Sequence, residues 1–200
     1  MNPSPSKLLR WSGLCTLALL ASAAQAHTGH GTSGIAEGLA HPLGLDHLLA
    51  MVAVGLWSVS ALPARKAWWG PAIFMLSLIA SAALGAMGVA LPYLEQLISL
   101  SVVLFSLMLV FSRQKMPLVL GLGLVAVAAC LHGLAHGAET PDTGFSSYAI
   151  GFLLTTAALH FGGVATGLGL RQLFAHKADW IVTGVGALCG GAGVYLFSQL

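Results

Sequence analysis

The sequence predicts an all-α integral membrane protein, with six transmembrane helices after a cleaved N-terminal signal peptide. Three observations carry that expectation. Apolar residues make up 57% of the chain and charged residues only 7%, too few to cover a soluble surface of this length. Six segments offer the roughly 20 mostly apolar residues that a bilayer-crossing helix needs. The basic residues of the connecting segments recur only after every second helix, so they all fall on one side.

The elements follow in order. Residues 1–26 read as the signal: Lys7 and Arg10 make a positive start, Trp11 to Ala23 a short apolar run, and Ala24-Gln25-Ala26 a small-residue cleavage site before His27. Without that segment the formal net charge falls from +2 to zero, since eight bases less Lys7 and Arg10 leave six against six acids. Such a balance gives no nucleic-acid signature. Residues 27–41 form a polar arm on the outer face, mobile from His27 to Gly38, that carries His27 and His30. Residues 42–200 hold the membrane domain, with spans at Pro42 to Leu62, Ala67 to Leu91, Tyr93 to Ser112, Met116 to His136, Phe145 to Leu173 and Asp179 to Leu200. The connections are short and carry Pro, Gly or charge, as helix ends do.

Orientation follows from the bases. Arg65 and Lys66 follow the first span, Arg113 and Lys115 the third, Arg171 and Lys177 the fifth, which makes that face cytoplasmic in an inner membrane. The other face carries Glu95, Glu139 and Asp142, and the signal independently puts His27 there. Glu95 reads as a helix N-terminal partner, and His176 as a solvated loop residue. Cys130 and Cys189 lie in apolar spans and read as small core residues rather than a disulfide. Small residues four apart, at Gly133 and Gly137, Gly163 and Gly167, and Gly186 and Gly190, let helices approach closely. Packing within one chain explains them, and a homo-oligomer stays compatible with them.

Chemistry concentrates at the outer ends of two spans. Pro42 suits the start of a helix, so His41 precedes it, Asp46 and His47 occupy the early turns, and Met51 lies one turn below His47. In the fourth span His132 and His136 are four apart, with Glu139 three further on, all on one stripe. Ionisable groups in a membrane are costly and mark ion or substrate pathways. Imidazole with carboxylate suits a borderline transition metal such as nickel, cobalt, copper or zinc. Asp46 and Glu139 can each be a ligand or the orienter of a neighbouring histidine. The His27 imidazole and the free amine left by cleavage can chelate together. His160 lies about 22 Å along its helix, placed to be either a second, deeper stop for an ion or a proton-linked gate, with Thr155, Thr156, Gly162 and Gly163 leaving room for a narrow polar path.

At these residues the sequence resembles the HupE/UreJ family of nickel permeases, over essentially the whole chain. The resemblance covers the signal followed by His27-Thr28-Gly29-His30-Gly31, the block from His41 through Asp46-His47-Leu48-Leu49-Ala50-Met51 to Trp57, the block from His132 to Glu139, and the span around His160. It implies uptake of Ni²⁺, or Co²⁺ in some relatives, for an enzyme such as hydrogenase or urease. His41, Asp46, His47, His132, His136 and Glu139 match the family's polar positions. One spacing departs: the family usually has one residue more between its first histidine and the Asp-His pair. The turn before the first span can absorb the loss, because His41 precedes the helix.

The leading expectation is therefore a secondary transporter that carries Ni²⁺ or Co²⁺ from periplasm to cytoplasm, with no enzymatic activity and no prosthetic group. No Gly-x-x-x-x-Gly-Lys loop for ATP occurs. A metal-binding accessory or sensor protein is the alternative. Gly31-Thr32-Ser33-Gly34 resembles the serine motif of rhomboid proteases, but it sits in the polar arm rather than at a buried helix end.

Overall fold

Proline and glycine punctuate the apolar runs into seven α-helices, with no strand among the described residues. The computed structural model describes residues 34–114, 116–139 and 145–200. The signal segment, His27, His30, Ser33, Lys115 and Asp142 lie outside them. The helices are α1 (Ile35–Ala40), α2 (Leu45–Ala61), α3 (Trp69–Ala86), α4 (Leu94–Val110), α5 (Leu118–Ala138), α6 (Phe145–Leu173) and α7 (Ala178–Ser198). Four stretches are long and apolar enough to cross a membrane: Ala64–Ala86, Leu118–Ala138, Phe145–Leu173 and Ala178–Ser198. Ile35–Leu43 and Leu45–Ala61 make a fifth if they are one span broken by their 73° bend, and α4 is a shorter apolar helix of 17 residues.

Two boundaries differ from the sequence expectation. The arm was expected to be mobile as far as Gly38, yet Ile35–Ala40 is helical and lies along α6. Gly38 and Gly151 make this possible. A Cβ on Gly38 would strike the Tyr148 carbonyl, and one on Gly151 would strike that of Ile35. The Thr155 hydroxyl then donates to the Leu39 carbonyl at 2.9 Å, satisfying one of the free carbonyls at the end of α1. The second difference is the stop of α3 at Ala86 rather than Leu91. Gly88 takes φ +89°, Val89 N–H donates to Leu84 O at 3.0 Å, and Gly88 N–H to Gly85 O at 2.9 Å. That is a Schellman ending, which glycine adopts without a Cβ penalty.

The helix α2 occupies the centre, against α3, α4, α6 and α7, while α3 pairs with α5 and α4 with α7. Lipid supplies no hydrophobic drive between helices, so close backbone approach and buried hydrogen bonds must hold them. The three glycine pairs serve that approach inside the chain: Gly133 and Gly137 face α3, Gly163 and Gly167 face α2, and Gly186 and Gly190 face α4. The outward faces remain apolar, with Leu76, Ile79, Val127, Ile150, Leu154 and Leu188 exposed. A helix apolar all round belongs in a membrane or a large core.

The contacts between helices separate the chemistry by end. One end gathers the start of α2, the close of α5 and the start of α6. At the other, the Arg113 and Asp179 side chains approach to 3.6 Å, and Arg171 donates to the Ser60 carbonyl at 3.2 Å.

Candidate metal centre

Gly44 decides where the first ligand candidates sit. Its extended ψ of 142° separates a short 3-10 turn, His41–Leu43, from α2 and starts α2 at Leu45. Asp46 and His47 thus lie in the first turn of α2, while the turn carries His41 back over the end of α5. The His41 ring stands 4.7 Å from that of His136 and 6.1 Å from that of His47, with Nε2 3.8 Å from Glu139 Oε2. The shortened spacing is absorbed in this turn, because His41 never has to share a helical face with His47.

Two overlapping groups result. His47, His132 and His136 each offer one donor atom within 4.8 Å of the others, and so do His41, His136 and Glu139. The first group is buried and wholly imidazole; the second is half open and includes a carboxylate. His136 belongs to both. Four donors about 2.1 Å from one tetrahedral ion lie about 3.4 Å apart, so side-chain shifts of an ångström or two would close either group.

The hydrogen bonds decide which nitrogens are available. Asp46 Oδ1 accepts from the His47 backbone N–H at 2.8 Å and from His47 Nδ1–H at 2.7 Å, which leaves Nε2 with the lone pair. Asp46 thus holds the His47 ring as the orienter of a ligating imidazole would, fixing ring and tautomer. His160 Nδ1–H donates to the Thr156 carbonyl at 2.8 Å, leaving Nε2. Ser101 Oγ lies 2.9 Å from His132 Nε2. Among the described residues, seven buried side-chain polar atoms have no hydrogen-bond partner, and five of them are nitrogens of His47, His132, His136 and His160. An unsatisfied buried polar atom costs about 1–3 kcal/mol. Five such nitrogens within one chain are the donor atoms that a cation could take.

His160 stands apart from both groups. Its ring is fully buried, 4.5 Å from Phe74, which in turn lies 5.7 Å from His132, so one apolar ring touches the cluster and the deeper histidine. The polar path expected beside His160 is largely absent: Thr155 is bonded to Leu39, and Gly163 packs against Val52 of α2. The buried Thr156 hydroxyl, like His160 Nε2, has no hydrogen-bond partner among the described residues. Glu95 was expected to serve the start of α4. It lies in that first turn, but it also lines a small cavity with His41, Asp46, His47, His136 and Glu139. Its place on the same face as Glu139 was the available signal. Ser101 gave none, since one serine in an apolar span looks like any other. His176 is exposed and the thiols of Cys130 and Cys189 are free, as expected.

Fold and site together define a multi-pass helical membrane protein with a buried, carboxylate-flanked imidazole cluster at one end. The HupE / UreJ protein family matches residues 15–196, and the chain belongs to that family. Protein HupE of Rhizobium leguminosarum bv. viciae is 40% identical over an alignment of 185 residues, covering 88% of this chain and 94% of that protein. No solved structure matches the chain.

Proposed function

We propose that the protein is a secondary permease that imports Ni²⁺, with Co²⁺ as a second cargo, across the inner membrane from periplasm to cytoplasm, for an enzyme such as hydrogenase or urease. The observation that carries this reading is the shared histidine: two donor groups, one half open and one buried, overlap at His136. In this mechanism six spans cross the membrane, α1 with α2 forming the first, and the ligand end faces the periplasm. His27 and His30 gather the ion on the arm of the mature N-terminus.

The ion loses water first to His41, His136 and Glu139, whose carboxylate offsets part of the charge before full burial. It then passes to His47, His132 and His136, where Asp46 supplies the compensating negative charge through His47. Handing over at a shared ligand avoids a bare divalent ion in a low-dielectric interior, which would be prohibitively unfavourable. Phe74 separates this position from His160, the deeper stop on the way to the basic, cytoplasmic end.

The test is accumulation of labelled nickel in transporter-deficient cells that express wild type or Asp46→Ala, with and without excess cobalt. Wild type accumulates nickel, the correctly inserted variant loses most of it, and cobalt competes. Wild-type cells that accumulate neither metal would overturn the permease reading in favour of a binding or accessory role.

A further inference from the structure

We infer that Ser101 is a positioning residue that holds His132 in its Nε2–H tautomer, so that Nδ1 is the nitrogen offered to the ion. The inference rests on the permease reading above. It starts from the placement of one proton. Ser101 is buried on α4, and its Oγ stands 2.6 Å from the Ile98 carbonyl oxygen and 2.9 Å from His132 Nε2. A carbonyl only accepts, and two oxygens that close repel unless a proton lies between them. The hydroxyl proton therefore points to Ile98. Ser101 Oγ can then only accept from His132, so Nε2 carries the hydrogen. Neutral imidazole has one N–H, and the lone pair falls on Nδ1, which is buried without a partner among the described residues.

His47 reaches the same condition with its nitrogens reversed: Nδ1 is tied to Asp46 and Nε2 is left over. Two of the three inner histidines are thus each fixed by one outer partner, a carboxylate on α2 and a hydroxyl on α4. The neutral partner orients His132 without adding charge, and with Glu95 it ties α4, which contributes no histidine, into the construction of the site.

The experiment uses purified full-length protein in lipid nanodiscs, with wild type, Ser101→Ala and Ser101→Thr. Long-range nitrogen–proton correlation on ¹⁵N-histidine protein reads the His132 tautomer, assigned by the signal lost in His132→Gln, and equilibrium binding reads nickel affinity. Wild type shows the Nε2–H form. Ser101→Ala mixes the tautomers and weakens nickel binding about 10- to 100-fold, the range for loss of a ligand's outer partner. Ser101→Thr, which keeps the hydroxyl, returns both readouts toward wild type. A wild-type Nδ1–H form, or unchanged nickel affinity in Ser101→Ala, overturns the inference. Wild-type protein with the Nε2–H tautomer but no affinity for nickel or cobalt overturns the metal reading itself, and with it the purpose assigned to Ser101.

Discussion

His136 is the residue on which the proposed hand-over depends, and the two donor groups make its test specific. Replacement by Ala removes a ligand from both groups and should abolish saturable nickel uptake in correctly inserted protein. Glu139→Gln touches only the half-open group. It should raise KM about tenfold, equivalent to about 1.4 kcal/mol, and leave the maximal rate nearly unchanged. Equal kinetic defects in both variants would refute the shared-ligand arrangement. Asp46 is different in kind: its carboxylate accepts both the backbone and the ring N–H of His47, so its loss acts through the tautomer and charge of that ring.

At the scale of elements, the seat of α1 on α6 determines where His41 goes. Gly38 abuts the backbone of Tyr148 and Phe152. A Gly38→Val variant should therefore push α1 away, displace His41 and lower stability by about 1–3 kcal/mol, as overpacking does. A Cβ added at Gly123 would meet nothing within 4 Å, and Gly123→Ala should stay within about 0.5 kcal/mol of wild type. Thermal unfolding in detergent, read together with uptake, separates the two. Indistinguishable behaviour would mean that the contact between α1 and α6 does not support the site.

For the whole molecule the decisive feature is the separation of ends, the imidazole cluster with Asp46, Glu95 and Glu139 at one and the arginines at the other. The proposed direction makes periplasmic pH a control on uptake. Imidazole binds a metal only when neutral, so protons compete with the ion. Initial rates at fixed free nickel should accordingly fall as external pH is lowered. A rate independent of external pH would count against histidine ligation.

Much of this was legible in the chain. Hydrophobic length located the helices, since the bilayer sets a minimum span whatever the packing, and basic residues separated the ends. The i, i+4 relation of His132 and His136 and the adjacency of Asp46 and His47 were local and could be read directly. The helix Ile35–Ala40 and the Ser101–His132 hydrogen bond could not. Each depends on which helices become neighbours, and that follows from glycine contacts and bends between segments far apart in sequence. Sequence alone determined which residues are candidates for metal chemistry and at which end of the helices they lie. Tertiary structure decided which nitrogens lack a hydrogen-bond partner among the described residues and which candidate ligands stand close enough to share an ion, because these are distances between helices rather than along one.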